Sequence, residues 1–224
     1  MYIPEERGPS VRARELLESV RKELEPLNAS VLGCRFLTKA ERGELSVDDL
    51  RLFAENQLYI VSHDARSLSL MASRAGDPEE AEYFAELARS DLMALRALRE
   101  MALELGIGQK PLHELRIVPH AVDYTHFLAF LAAHGNPGEQ AFALIVNLPV
   151  WSAACSRLLN AVRSRHDLRR TEFLELFANV PSWVEEVGLR VCERYVERHG
   201  ESMRFFARLI QEYELSFWEG LGGG

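Results

Sequence analysis

Near the C-terminal end of the sequence lies the stretch Gln211-Glu212-Tyr213-Glu214-Leu215-Ser216-Phe217-Trp218-Glu219, which combines carboxylates and aromatic residues at helical spacing. Phe217 and Trp218 follow Glu214 by three and four residues, so a helix places this carboxylate on one stripe with two aromatic rings. Carboxylates are rarely buried without a partner. An inward-facing Glu214 is therefore a candidate for chemistry or for a specific ion pair, and the alternative is a glutamate at the rim of an amphipathic helix.

The rest of the sequence also carries helix start and stop signals. Ser46-Val47-Asp48-Asp49 resembles a capping box, while Asp77-Pro78 and Asn136-Pro137 each place a capping residue before a proline at the first helical position. No alternating strand pattern occurs. We therefore predict an all-α fold, a multi-helix bundle in a single domain over residues 1–224. The expected helices span about 10–26, 29–42, 47–75, 78–105, 119–134, 137–165, 171–178, 181–199 and 201–219.

Composition and charge narrow the range of partners. The net charge of the 224-residue chain is −8, which argues against nucleic acid because duplex-DNA binders present a basic face. The apolar runs are short and broken by charge, so we expect no membrane span. The N-terminal residues lack the apolar core of a signal peptide, and we expect a cytoplasmic protein. The three cysteines are too widely spaced for a disulfide framework or a metal knuckle.

A dense group of polar residues interrupts the apolar pattern of the helix expected over 47–75. They fall on two adjacent faces, one with Glu55, Tyr59 and Ser62, and the other with Gln57, Ile60, Val61 and Asp64. Either these residues form part of a polar cavity, or they are an outward polar stripe.

A second candidate region lies in the helix expected over 137–165. Pro149 removes one helical hydrogen bond there and is expected to kink the helix. Trp151 and Cys155 follow one turn apart on the same face. A kink would re-aim these side chains beside a pocket, whereas the alternative is a helix break with a core tryptophan and a buried thiol.

The histidines predict no metal site. Asp123 and His126 are three residues apart, and His120 lies shortly before them. The pair of Glu-x-x-His motifs that is typical of di-iron bundles does not occur. The sequence also lacks a Gly-rich phosphate loop, a GxSxG elbow and a Cys-x-x-Cys motif.

Three segments share their pattern with a known family. They are Val122-Asp123-Tyr124-Thr125-His126-Phe127-Leu128 with Gly135 shortly after, Leu148-Pro149-Val150-Trp151, and Tyr213-Glu214 with Phe217-Trp218-Glu219. Together they resemble the TenA (thiaminase II) family of the haem-oxygenase-like superfamily. The resemblance covers most of the chain, and the C-terminal segment is the most specific of the three.

The resemblance implies a haem-oxygenase-like multi-helix bundle with a buried pocket, assembled as a homo-oligomer, either a dimer or a tetramer. It also implies hydrolysis of an aminopyrimidine of thiamin salvage, or of thiamin itself, with neither a metal nor an organic cofactor. Glu214 matches the family's proton carrier. Aromatic rings beside this carboxylate would partly desolvate it and raise its pKa toward neutrality.

Two departures from the family pattern fall at functional positions. Val150 stands where the family has a nucleophilic cysteine, and Cys155, five residues later, points about 140° away on an ideal helix. Leu58 follows Gln57 where the family has its pyrimidine-binding aspartate, and Glu55 lies one turn earlier on the same face as a substitute.

We therefore predict a TenA-like hydrolase of a small heteroaromatic amine. Glu214 is the predicted general acid/base, and the catalytic candidate Glu55, or else Asp64, is predicted to hold the amino group of the ring. The other predicted pocket residues are Gln57, Tyr59, Tyr124, Trp151, Cys155, Tyr213 and Phe217. Two alternatives stay open. The first is an iron-dependent or quinone-synthase-like oxidase, because Asn56-Gln57-x-Tyr59 is faintly similar to a motif of the quinone synthase. The second is a non-catalytic binding protein, which Val150 favours.

Overall fold

The computed structural model of the protein describes residues 11–166 and 168–223, and the regular structure within them is helical. The all-α prediction is confirmed, because these residues contain no strand. The expected helix start at residue 10 lies outside the described residues. The helices are α1 Val11–Leu32, α2 Arg35–Arg42, α3 Val47–Arg74, α4 Pro78–Glu104, α5 Pro119–His134, α6 Pro137–Arg165, α7 Glu172–Ala178, α8 Trp183–Glu193 and α9 Val196–Gly222, with a 3-10 turn at Leu112–Glu114.

The predicted capping signals begin three of the long helices. At α3 the Asp49 N–H donates to Ser46 Oγ at 3.1 Å, and the Ser46 N–H donates to Asp49 Oδ2 at 2.7 Å. Asn136 and Glu139 form the same reciprocal pair at α6. Asp77 Oδ1 accepts from the backbone two residues later at the start of α4. Each cap stabilises its helix by about 1 kcal/mol, so these helix starts are set by local sequence.

α1 does not end at Pro26, as the sequence predicted, but continues to Leu32. Pro26 has no N–H to donate, so the helix loses one backbone hydrogen bond there. Leu24 and Val31, on either side of the proline, are both buried in the core. Burial of one such side chain contributes about 1.5–3 kcal/mol, so packing on both sides of Pro26 offsets the lost hydrogen bond.

The boundary between α8 and α9 also differs from the prediction. A break was expected at His199-Gly200, whereas α8 ends at Glu193 and α9 begins at Val196. Between them, Arg194 forms ion pairs with three carboxylates at the start of α4, and the Tyr195 hydroxyl lies against the same cluster. These contacts between distant elements place the break, and the local sequence carries no signal for them.

The core is organised around α6 and α9. α9 packs against α1, α5 and α6, while α6 also packs against α7 and α8, and α3 lies along α4 and α5. Aromatic rings fill the space between α2, α3 and α9, where Phe53 stacks on Trp218 with ring centroids 6.1 Å apart. The arrangement directs the inner faces of α3, α5, α6 and α9 toward one another.

α6 is the exception to the expectation that apolar runs are short and broken by charge. Its length of 29 residues and its apolar composition would suffice to cross a membrane. However, 67% of its most apolar stretch is buried inside the protein, which is typical of the core helix of a soluble bundle. The helix also runs without interruption through Pro149.

Candidate functional site

A cavity of about 240 Å³ lies between α3, α4, α5, α6 and α9, and the connection from α7 to α8 closes one side of it. Met93 on α4 and Leu176 on α7 line the cavity and are also exposed to solvent, which places its mouth between these helices. The aromatic lining residues are Tyr124, Trp151, Phe177, Trp183 and Phe217, and the other polar ones are Gln57, Asp64, Ser90, Asp91, Asn147, Asn179 and Glu214. An apolar cavity with a few converging polar groups is typical of a small-molecule site.

Glu214 lies in this cavity with only 3% of its surface exposed. Its Oε1 accepts a hydrogen bond from Trp218 Nε1 at 2.8 Å, and its Oε2 accepts one from Asn147 Nδ2 at 3.2 Å. Burial raises the pKa of Glu214 to about 7, although the two hydrogen bonds act in the opposite direction. The carboxyl group can therefore both accept and donate a proton near neutral pH.

Asn147 holds Glu214 within a chain of hydrogen bonds. Its Nδ2 donates to Gln211 Oε1 at 2.8 Å as well as to Glu214, and its Oδ1 accepts from the Tyr124 hydroxyl at 3.2 Å. Gln211 in turn donates to Asn28 Oδ1 at 2.6 Å. Because both ends of the Asn147 amide are engaged, its N–H group is fixed toward the carboxylate.

A second acidic region lies on the α3–α4 side of the cavity. Asp64 is buried, and its Oδ1 accepts a short hydrogen bond from Thr125 Oγ1. Burial raises the pKa of Asp64 to about 7, against the effect of the Thr125 hydrogen bond. Asp91 lines the cavity from α4, and burial raises its pKa well above the ordinary value, with a further contribution from the negative charge of Asp64.

Six of the predicted pocket residues share this cavity. One face of α3 contributes Gln57 and Asp64, which the sequence placed together with Ile60 and Val61, and these two apolar residues also line the cavity. The others come from α5, α6 and α9, and they are Tyr124, Trp151, Glu214 and Phe217. The Trp151 and Phe217 rings meet edge to face with centroids 5.7 Å apart, so they form one aromatic wall.

Glu55 does not belong to this group, in contrast to its predicted role. This side chain is 2% exposed and does not line the cavity. Instead, Arg116 Nε donates to Glu55 Oε2 at 2.6 Å, and Lys110 Nζ lies 4.0 Å from Glu55 Oε1. Glu55 and Asp64 are nine residues apart, which puts them on opposite sides of an ideal helix. Glu55 therefore forms a structural ion pair with the segment before α5.

Tyr59, Cys155 and Tyr213 also lie outside the cavity lining. The Tyr59 hydroxyl is 3.1 Å from His126 Nε2, and the Tyr213 ring packs at 5.1 Å on the ring of Phe127. Cys155 is fully buried in the core, and this burial raises the pKa of its thiol well above the ordinary value. Such a thiol is a poor nucleophile, and none of the cysteines among the described residues lines the cavity.

Asn147 and Asp91 are polar cavity residues that were not among the predicted site residues. Asn147 is a fully buried amide within the apolar run Ala143–Val146 and Leu148, and an isolated polar residue in such a run is a detectable signal. Asp91 follows Arg89 and Ser90 in a charged part of α4. Its sequence context is that of a solvated helix face, so only the tertiary packing identifies it.

His120, Asp123 and His126 lie at the surface of α5. Asp123 Oδ2 is 3.5 Å from His120 Nδ1, and Asp123 Oδ1 is 4.0 Å from His126 Nδ1, with both imidazoles largely exposed. Across residues 11–166 and 168–223, no group of three or more His, Cys, Asp or Glu side chains has a geometry suited to a metal ion.

Comparisons with known proteins agree with this architecture. The sequence matches the model of the TENA/THI-4/PQQC family over residues 21–221. One similar solved structure is a TenA homologue from P. horikoshii OT3, with 19% identity and a TM-score of 0.76, and the match covers 93% of this chain and 99% of that one. Another is a TenA homologue from Pyrococcus furiosus, with 22% identity and a TM-score of 0.71, and the match covers 92% of this chain and 99% of that one. A third is a TenA homologue from Pseudomonas syringae pv. tomato (13% identity, TM-score 0.80, 97% and 98%). No curated protein matches the chain.

Proposed function

Because the chain belongs to the TENA/THI-4/PQQC family, we propose that it is a cofactor-free hydrolase of a small aminopyrimidine or a related heteroaromatic amine. Glu214 is its general acid/base. The observation that carries this proposal is the position of Glu214, buried at the cavity with two fixed hydrogen-bond donors and a pKa of about 7. A catalytic carboxyl group works best when its pKa is near the operating pH.

The proposed reaction uses water as the nucleophile, because no cysteine of the described residues lines the cavity and Val150 is buried outside it. Glu214 accepts a proton from water as the water oxygen forms the new C–O bond. The C–N bond to the amine then breaks, and the same proton passes from Glu214 to the departing nitrogen. Atoms and charges balance without an oxidant or a reductant.

The remaining cavity residues support a flat ligand. Trp151 and Phe217 form an aromatic wall beside Glu214, and Tyr124 is held by its hydrogen bond to Asn147. Pockets for drug-sized ligands usually measure about 300–1,000 Å³. The cavity volume of about 240 Å³ therefore suits a single substituted ring better than a two-ring compound such as thiamin.

The test is incubation of the purified protein with aminopyrimidines and with thiamin, with products followed by mass spectrometry. Glu214→Gln is expected to reduce turnover by about 10²–10⁴-fold, the usual contribution of a general acid/base. Glu212→Gln is the matched control, because Glu212 lies two residues away in the same helix, is partly exposed and pairs with Arg208. Equal turnover by the Glu214 and Glu212 variants would contradict the assignment.

A second candidate function is ligand binding without chemistry. The observation that favours it is Val150, which occupies the position of the family's nucleophile and packs in the core. In that case the protein would bind an aminopyrimidine with no product formed, and Glu214→Gln would alter affinity alone. Metal analysis of the fresh protein, with a visible spectrum, would identify an iron-dependent oxidase.

A further inference from the structure

The charges around the cavity are unbalanced. Asp64, Asp91 and Glu214 all line it, whereas no Lys, Arg or His side chain of the described residues does. Glu214 accepts hydrogen bonds from two N–H groups, but Asp64 accepts one from a hydroxyl only. No hydrogen bond or ion pair connects Asp91 to another described residue. The α3–α4 side of the cavity therefore has acceptor oxygens without matching donors.

Gln57 gives an independent sign that this side of the cavity receives a ligand. Its side chain is 97% buried, since its exposed fraction is 3%, and it lines the cavity two helical turns before Asp64 on the same face of α3. An amide offers two N–H donors and one carbonyl acceptor. No partner for any of them occurs within residues 11–166 and 168–223, although buried polar groups are normally paired. A polar group that enters the cavity would satisfy this amide.

The two acidic regions lie close enough for one small molecule to reach both. Burial raises the pKa of the Tyr124 phenol well above its ordinary value, and the charges of Asp64, Glu214 and Asp91 raise it further. The Tyr124 hydroxyl donates to Asn147, which donates to Glu214, and the next residue of α5, Thr125, donates to Asp64. This part of α5 therefore connects Glu214 with Asp64, and Asp91 lines the same cavity.

We propose that Asp64, Asp91 and Gln57 form a cation subsite that binds the protonated amino group or amidinium of the ligand. This inference rests on the proposed function, because it specifies the charge and orientation of the ligand of the same cavity. The cation would donate to the carboxylate oxygens of both aspartates, and the Gln57 carbonyl would accept a further hydrogen bond. The flat body of the ligand would then lie against Tyr124 and toward Glu214.

Binding of a cation at this subsite should release a proton. Burial raises the pKa of Asp64 to about 7, so this carboxyl group is partly protonated near neutral pH, and burial also raises the pKa of Asp91 of the pair. The other groups that face the pair are Thr125 and Tyr124 from α5, Ser90 from α4 and Glu214 from α9, and none of them is cationic. A bound ammonium group supplies the missing positive charge, so it lowers the pKa of Asp64 and displaces the proton of this carboxyl group.

The experiment is isothermal titration calorimetry on the full-length Glu214→Gln protein, in which turnover is expected to be strongly reduced. The two probes are 4-amino-2-methylpyrimidines that differ only at position 5, one with an aminomethyl group and the other with a neutral hydroxymethyl group. We expect the aminomethyl probe to bind at least about tenfold tighter, as is typical of a charge-assisted hydrogen bond. Its binding heat should depend on the ionisation enthalpy of the buffer, which reports proton release.

Asp91→Asn in the same background should remove the preference for the aminomethyl probe, because it weakens binding of the cationic probe much more than binding of the neutral hydroxymethyl probe. Asp64→Asn provides a second variant if the first fails to fold. Glu86→Gln is the matched control, because Glu86 is a surface carboxylate of the same helix that pairs with Arg89. Equal affinities for the two probes, a preference that survives both aspartate variants, or binding of neither probe would overturn the proposal.

Failure of this inference and failure of the proposed function give different results. If the wild-type protein hydrolyses neither probe but the Glu214→Gln protein prefers the cation through Asp91, the subsite stands and the hydrolase does not. If the wild-type protein hydrolyses an aminopyrimidine and the charge preference is absent, the hydrolase stands and the subsite does not.

Discussion

The ionisation of Glu214 should make the fold less stable as the pH rises, and Glu214→Gln should remove that effect. The pKa of this carboxyl group is about 7 in the folded protein, against an ordinary value of 4.5. Below pH 4.5 the group is protonated in both the folded and the unfolded state. Between pH 4.5 and 7 the unfolded chain loses its proton first, so unfolding becomes progressively more favourable. Above pH 7 the fold carries the whole cost of a buried carboxylate.

The size of the effect follows from the two pKa values. The difference between 4.5 and about 7 corresponds to about 3 kcal/mol of unfolding free energy, since one pKa unit is worth about 1.4 kcal/mol. Glu214→Gln also changes hydrogen bonds, because Trp218 Nε1 and Asn147 Nδ2 donate to different carboxylate oxygens, and the amide replaces one of these oxygens with an NH2 group that cannot accept. That cost is the same at every pH. The difference in stability between wild type and variant should therefore shift in favour of the variant by about 3 kcal/mol between pH 4 and pH 8.

The assay is urea unfolding of both proteins at a series of pH values, with the difference in unfolding free energy plotted against pH. Asp64 and Asp91 titrate in both proteins, so their contributions largely cancel in the difference. Glu212→Gln should give a flat difference curve, because Glu212 is partly exposed. A flat curve for Glu214→Gln as well would refute the claim that a raised pKa makes Glu214 an acid/base at neutral pH.

Further substitutions test the surroundings of the same carboxyl group. Asn147→Ala removes one donor, so the pKa of Glu214 should rise further and the pH at which turnover sets in should move upward in a pH–rate profile. Trp218→Phe removes the other donor and also part of the buried indole ring. Chemical denaturation above pH 7 should show a loss of at least about 1–3 kcal/mol, the usual cost of leaving a buried acceptor unpaired. Cys155→Ala should leave kcat/KM for an aminopyrimidine unchanged, because the thiol lies outside the cavity. A large loss of activity would instead indicate that Cys155 is the nucleophile.

The position of Glu214 could be predicted because its partner is local. Trp218 follows four residues later, and helical spacing alone brings its N–H to the carboxylate. The face of α3 that carries Gln57 and Asp64 could be predicted in the same way, from periodicity. What periodicity could not provide is the choice between the two polar faces of α3. Glu55 lies on the other face, where it accepts a hydrogen bond from Arg116, 61 residues away in the sequence.

The parts of the fold that were mispredicted have a similar cause. The break between α8 and α9 is fixed by contacts of Arg194 with the start of α4 rather than by the glycine at position 200. Asp91 was missed because its neighbours in sequence are charged, and only the packing of α4 on α3 turns it toward Asp64. In each case a contact between distant elements outweighs the local pattern.

The energetics of Glu214 favour a functional site over a packing role. A carboxyl group in this position destabilises the fold at neutral pH, and a glutamine or leucine of similar size would avoid that cost. Nevertheless, Asn147 and Trp218 both direct N–H groups at it, and Asn147 is itself held by Gln211 and Tyr124. A buried carboxyl group that destabilises the fold, while both of its oxygens accept hydrogen bonds, is typical of a group that serves in proton transfer or ligand binding. Asp91 lines the same cavity without a partner among the described residues, and for that reason we place the cationic end of the ligand there.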